Sequence, residues 1–491
     1  MVNIAAGTIS QLVIILLGLL LPRLFLVRFG SETNGFINSI TQFFSYFTLF
    51  EAGVGTATLQ ALYGPAARDD RQRIADILAA ASRFYHRTGI CYLGAVCLLA
   101  VGYPLFVSAQ DISPVTMALV ILLQGCGGAI SYLFQGKYLI LLRAQGKNYL
   151  ISLVVTTVNV AISGGRILMM LLGAPLVAVQ ACFFVVHVAQ MLFYQWYLKK
   201  NYGWLAMRAE PDYAAIAQKN SVLVHQFSTL VFNNTDVILL TVLGGDLKIV
   251  SVYTIYNMIV SMCRVLINQI NEGVAFRLGQ LYQTDRERYK RYHNYFELFN
   301  ITLGFCVFTT AYVLLVPFIR LYTAGVNDIN YILPYLPLLF VLVQLISSSR
   351  QAAACLIEFA GHFESTKRRS LMETGINLAV SIVLIPRWGI YGVLAGTIAA
   401  LAYRANDMVL YTQKYILEEK PYRTYRRWAV HYLIFFAVCL VTGRLQLCAA
   451  SYGRWVLMAI PVTLAVAACY AAANLLTEYK TLKQLFHTLK K

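Results

Sequence analysis

Apolar residues run along this 491-residue chain in blocks of about twenty, separated by short polar stretches, and the blocks recur from one end to the other. A helix crossing the ~30 Å hydrocarbon core of a bilayer needs about 20 such residues. The blocks therefore predict transmembrane helices over 6–28, 35–63, 86–108, 114–142, 149–172, 174–198, 220–243, 249–275, 295–321, 331–358, 370–387, 390–414, 429–447 and 454–476. A membrane β-barrel would instead alternate apolar and polar positions in segments of about 10 residues. The first block lacks a preceding basic segment and is too long for a signal-peptide core, so it reads as an uncleaved first helix.

The pattern repeats internally. Leu172-Gly173-Ala174-Pro175-Leu176 is answered by Trp388-Gly389-Ile390-Tyr391-Gly392, Gly146 by Gly361, Asn159 by Asn377 and Tyr194 by Tyr411. Earlier in each half, Asp69-Asp70-Arg71-Gln72-Arg73 pairs with Asp285-Arg286-Glu287-Arg288, and Pro104-Leu105-Phe106 with Pro317-Phe318-Ile319. The order is constant and the shift stays near 216. Six helices separate the copies, an even number, so both insert with the same orientation and a site is expected between them. The expected architecture is an all-α integral membrane protein of about 14 transmembrane helices. It comprises an N-terminal six-helix bundle over 1–213, a pseudo-symmetric second bundle over 214–428, and two additional helices with a tail over 429–491.

Composition agrees. Apolar residues make up 59% of the chain and charged residues only 13%, far below the quarter or so of a soluble domain. The net charge of +18 does not imply a nucleic-acid partner, because the cations cluster in loops. With the N-terminus cytoplasmic, 28 of the 40 Lys and Arg fall on the cytoplasmic side, six on the outer side and six within spans. That asymmetry places both termini in the cytoplasm. No loop is long enough for a catalytic domain, and no P-loop, zinc motif or nucleophile elbow is present, so no enzyme activity, cofactor or metal is expected.

The candidate chemistry lies in charges inside the apolar spans, where each is expensive and therefore functional or paired. The cations are Arg23, Lys137, Arg166, Arg264, Arg350 and Arg404. A lumen lined by them would attract an anion, and the planar guanidinium fork suits a pyrophosphate. Arg23 follows Pro22, which can kink the first helix toward a cavity. Arg23 and Arg350 have no acid nearby in sequence, whereas Arg404 and Asp407 stand three apart on one helix. The acids are Glu51, Asp236, Glu272, Glu373 and Asp407. Glu51, Asp236 and Asp407 are candidates for coupling to H+ or Na+, or else they neutralise the arginines. His187 and His225 read more simply as interhelical hydrogen-bond partners than as proton relays.

Several stretches together resemble the polysaccharide-transporter flippases, the Wzx-like branch of the superfamily that also holds the MATE exporters and the peptidoglycan-lipid flippase. They are Leu21-Pro22-Arg23, Phe29-Gly30-Ser31-Glu32-Thr33-Asn34-Gly35, Phe50-Glu51-Ala52-Gly53-Val54-Gly55, Thr235-Asp236-Val237-Ile238-Leu239, and Gly389-Ile390-Tyr391-Gly392-Val393-Leu394-Ala395-Gly396-Thr397. The resemblance implies MATE-like bundles around a cationic cavity. It implies alternating access and flipping of an undecaprenyl-pyrophosphate-linked oligosaccharide to the outer leaflet of a bacterial inner membrane. Two alternatives stay open: a multidrug exporter of organic cations coupled to protons or sodium, and a membrane polysaccharide polymerase or glycosyltransferase. The first would line its cavity with acids. The second needs a large outer loop or soluble domain, which these loops do not supply.

Overall fold

A computed structural model describes residues 2–51, 54–206, 210–213, 230, 234–443 and 447–489. The predicted seventh span lies largely outside them, as does His225. The described chain is helical: α1 (Val2–Phe47), α2 (Val54–Ala67), α3 (Arg71–Phe106), α4 (Pro114–Ile130), α5 (Gly136–Ala144), α6 (Asn148–Leu171) and α7 (Leu176–Asn201). Then come α8 (Asn234–Gly244), α9 (Leu247–Thr284), α10 (Arg286–Tyr322), α11 (Leu336–Phe359), α12 (Phe363–Trp388) and α13 (Ile390–Thr412). Last are α14 (Tyr422–Thr442), α15 (Tyr452–Thr477) and α16 (Tyr479–Leu489). Among the described residues, eight helical stretches are long and apolar enough by themselves to cross a membrane. Leu98, Leu105, Phe106, Leu440, Leu464 and Leu476 stand largely exposed, as lipid-facing side chains do. This is a multi-pass membrane protein.

The spans read from hydropathy reappear with informative differences. The first two merge into α1, broken only where Gly30 takes φ 79. The second span is interrupted after Phe47, because the helix tightens into a 3-10 turn at Thr48–Phe50 just before Glu51. The fourth carries one wide π turn, Ser131–Gln135, between α4 and α5. The long helices α3 and α10 start at Arg71 and Arg286, well before the apolar spans predicted from 86 and 295. Asp70 and Asp285 cap them, each carboxylate accepting the backbone N–H three residues on, at 3.0 and 2.9 Å. The internal repeat is thus written in the backbone as well. Gly146 and Gly361 take φ 72 and 67, Gly173 and Gly389 take 78 and 51, and Gly30 and Gly245 take 79 and 68. Left-handed conformations of this kind favour glycine.

The chain divides into two compact units, Met1–Ser251 and Val252–Lys491. In the first, α3 packs on α4, α4 on α7, and α6 on α7 and α1. One core gathers Phe36, Ile40, Tyr92, Val96, Met117 and Val179; another gathers Val54, Leu62, Ile74, Leu141, Tyr194 and Leu198. Lipid is as apolar as these side chains, so close approach and interhelical hydrogen bonds must hold the helices together. The Asn34 amide donates to Ser251 Oγ at 2.7 Å, Thr241 Oγ1 donates to Ser39 Oγ at 2.9 Å, and the Tyr46 and Thr235 hydroxyls bond to each other.

In the second unit α12 and α13 form a tight hairpin, α13 also packs on α11, and α10 carries α11, α14 and α15. The hairpin depends on glycine. A Cβ at Gly392 would meet the Leu384 carbonyl carbon at 2.6 Å, and one at Gly396 would clash with Ser381 Oγ. Gly375, on α12 itself, has open space. Replacing Gly392 or Gly396 by Ala should therefore cost about 1–3 kcal/mol through overpacking. Gly375→Ala should be neutral or better, since Ala is the stronger helix former. Thermal melting of the purified protein checks this; equal melting of all three variants would contradict the packing.

The two C-terminal helices are anchored through buried charge. Arg427 of α14 is 2% exposed. It donates to Glu297 of α10, to Asn294 Oδ1 at 2.7 Å and to Glu478 Oε2 at 3.0 Å. Thr424 Oγ1 donates to Glu297 Oε1 at 2.6 Å, and Arg426 also donates to Glu478. Beyond Glu478 lies α16, an amphipathic helix where hydropathy alone predicts only a tail.

Candidate functional site

The polar run Ser347-Ser348-Ser349-Arg350-Gln351 interrupts the apolar face of α11 and brings a guanidinium against α12 and α13. Arg350 Nη1 lies 2.6 Å from Glu373 Oε1. Glu373 Oε2 is 3.5 Å from Arg404 Nε, and Arg404 Nη1 lies 2.7 Å from Asp407 Oδ2. Arg369 completes the chain by pairing with the other oxygen of Asp407. Arg350, which has no acid nearby in sequence, is thus paired across helices with a residue 23 positions away. Arg404 and Asp407 pair along one helix as their spacing suggests. Three guanidiniums face two carboxylates, so the network keeps a surplus positive charge. Among the described residues Arg350 makes one side-chain hydrogen bond, to Glu373, which leaves further N–H donors on its fork. Asp407 is held between two arginines.

Three of the other span cations meet neutral partners. Arg264 of α9 donates to Ser261 Oγ at 3.2 Å. Lys137 of α5 donates to Ser82 Oγ at 2.8 Å and lies 4.8 Å from the Tyr138 ring centroid. Arg166 of α6 donates to the buried Gln180 at 2.7 Å and sits 5.1 Å from the Phe183 ring centroid. Among the described residues no acid lies within ion-pair distance of these three. Arg23 is half-buried one residue beyond Pro22.

Of the acids, Glu51 accepts from the buried Tyr85 hydroxyl. Asp236 is buried on α8, beside the Thr235 that bonds Tyr46. Glu272 is exposed on α9. His187 bonds through Nδ1 to the Phe183 carbonyl of its own helix at 2.9 Å.

Sequence reading missed a second feature of the same unit. Between α9 and α11 lies a cleft of about 720 Å3, lined by the carboxamides of Asn268, Asn271, Gln280, Gln283 and Gln351. Glu272 and Glu358 add carboxylates, and Phe359 adds a ring. The signal was present: in Asn268-Gln269-Ile270-Asn271-Glu272 and onward to Gln283, polar residues recur at helical spacing through an otherwise apolar segment. A search for charges alone passes over amides.

No family model matches the chain, and no curated protein matches it. Its structure is similar to that of the lipid II flippase MurJ in an inward closed conformation, with a TM-score of 0.65 at 12% identity over 95% of this chain and 98% of that one. It is also similar to an outward-facing multidrug resistance transporter of the MATE family of the MOP superfamily, with a TM-score of 0.51 at 15% identity over 83% of this chain and 92% of that one.

Proposed function

We propose, starting from the MOP-superfamily fold that this chain has, that it flips an undecaprenyl-pyrophosphate-linked oligosaccharide from the cytoplasmic to the outer leaflet of a bacterial inner membrane. The observation that carries this reading is the set of span cations whose partners are hydroxyls, amides and rings: Lys137, Arg166 and Arg264. A cation kept in an apolar span without a neutralising acid is expensive, and an anionic cargo compensates it. The surplus charge around Arg350 and Arg404 adds to the same field. A carrier of organic cations would need the opposite balance.

In this reading 1–213 and 214–428 are the two lobes that alternate access, 429–491 supplies the additional helices, and both termini are cytoplasmic. Arg23 extends the cationic lining on α1. Coupling to H+ or Na+ falls to Glu51 or Asp236, because Asp407 is occupied by Arg369 and Arg404.

The test is transport by purified protein in liposomes. Undecaprenyl-pyrophosphate-linked oligosaccharide is placed in one leaflet, and its arrival in the other is read by attack from an impermeant glycosidase. Charge-assisted hydrogen bonds are worth about 1.5–3 kcal/mol, so Arg264→Ala and Lys137→Ala should each slow arrival about tenfold or more. Unchanged rates in both variants, together with efflux of a cationic dye by the unaltered protein, would replace this reading with the multidrug one.

A further inference from the structure

We infer that the amide cleft between α9 and α11 reads the sugar hydroxyls of the cargo, while Arg264, two turns along α9, holds its pyrophosphate. The inference rests on the flippase reading and assigns that cargo a second, glycan-specific contact.

The lining is the first argument. A sugar hydroxyl both donates and accepts, and a carboxamide offers both functions side by side. Five carboxamides converge on the cleft, and no Lys or Arg lines it. The two carboxylates can accept from hydroxyls but repel phosphate, so they orient a ligand that is neutral at one end and anionic at the other. Its sugar end fits the cleft and its pyrophosphate does not.

The second argument is an unmet need. Asn271 is only 3% exposed, and neither its Oδ1 nor its Nδ2 finds a hydrogen-bond partner among the described residues. Buried amide groups are nearly always satisfied. An orphaned amide in a cleft wall is satisfied when a ligand hydroxyl arrives.

The third is shape. Phe359 presents a ring to the same space, as a sugar's C–H face requires, and it stands close to α9 because Gly279 has no side chain: a Cβ there would lie 3.3 Å from the ring. The volume of about 720 Å3 falls within the range of roughly 300–1,000 Å3 for small-molecule sites. Arg264, Asn268, Asn271 and Ala275 share one face of α9, and the seven helical steps from Arg264 to Asn271 span about 10 Å. That separation suits a pyrophosphate followed by its first sugars.

The experiment measures binding of two lipids to the detergent-purified full chain by native mass spectrometry. One is bare undecaprenyl pyrophosphate. The other is undecaprenyl-pyrophosphate-linked oligosaccharide extracted from the cells that make this protein. Asn271→Leu removes the buried amide at nearly constant volume. Gln280→Leu/Gln283→Leu changes two exposed lining residues and so leaves folding intact even where Asn271→Leu does not. The unaltered protein should prefer the glycan-bearing lipid by about tenfold. Both variants should lose that preference while binding the bare lipid as before, and Arg264→Ala should weaken both lipids.

Retention of the preference in Gln280→Leu/Gln283→Leu overturns the inference. Equal affinity of the unaltered protein for the two lipids overturns it too, and leaves the flippase reading standing. Binding of neither lipid overturns both. Binding of tetraphenylphosphonium that is lost in Glu272→Gln/Glu358→Gln, without any lipid preference, would make the cleft an organic-cation site and likewise overturn the inference.

Discussion

Replacing Arg427 by Ala is expected to destabilise the protein by about 3–5 kcal/mol, the usual result of removing one member of a buried ion cluster. The size follows from what is left behind. Glu297 and Glu478, 7% and 4% exposed, would keep their negative charges but lose the cation between them. Asn294 would lose its donor as well. Glu297 lies on α10, Arg427 on α14 and Glu478 at the C-cap of α15, so the loss should loosen both C-terminal helices together. Replacing the whole set (Arg427→Met, Glu297→Leu, Glu478→Leu) should recover most of the stability, because no buried carboxylate is stranded and Arg426, which loses Glu478, is 41% exposed and solvated. Thermal melting reads both outcomes. If the single variant melts like the unaltered protein, the cluster contributes nothing. The pH dependence has a definite sign. Burial pushes the Glu478 carboxyl up, but hydrogen bonding and charge from Arg427, with Arg426 and Thr481, outweigh it and lower the pKa from 4.5 to about 2. A depressed carboxylate stabilises fully above its unfolded value and loses that contribution as pH falls through the folded one. Melting should therefore be insensitive to this group down to about pH 4.5 and fall between there and pH 2.

Much of the fold was legible because a bilayer imposes a simple rule: long apolar runs must be helices. The charged loops that hold Asp70 and Asp285 were legible as repeat partners, and only the structure makes both residues N-caps. Gly146 with Gly361 and Gly173 with Gly389 mark helix ends in the sequence alone. Gly30 with Gly245 belongs to the same series but was hidden by weak flanking similarity. α16 was missed because its apolar face is only half of a short, Lys-rich helix, and hydropathy averaged over both faces erases it. The candidate site was legible in part. Arg404 and Asp407 are neighbours by helical geometry alone. Arg350 and Glu373 meet only because α11 and α12 pack beside α13, which no local pattern encodes. The amide cleft shows the same limit, since Asn271 and Gln351 line one space only once α9 and α11 have come together.

Arg350 offers the sharpest separation of a structural from a cargo-binding cation. Arg350→Ala is expected to lower both stability and transport. Glu373, its side chain 9% exposed, would keep only the more distant Arg404 Nε at 3.5 Å, and breaking such a pair costs about 3–5 kcal/mol. The local charge would also fall from a surplus of one to zero. Arg350→Met/Glu373→Leu removes a cation and an anion together. It leaves Arg404 and Arg369 against Asp407, so the surplus is unchanged while no buried acid is stranded. Melting should then recover. Transport of the lipid-linked oligosaccharide should stay about tenfold down or more, because the spare N–H donors of the Arg350 fork are gone and a net charge does not replace a bidentate contact. Recovery of transport along with melting would assign Arg350 to the fold alone. Arg350→Lys distinguishes the remaining possibilities: it keeps the pair with Glu373 but not the fork, so near-normal melting with impaired transport is the signature of a guanidinium that grips phosphate.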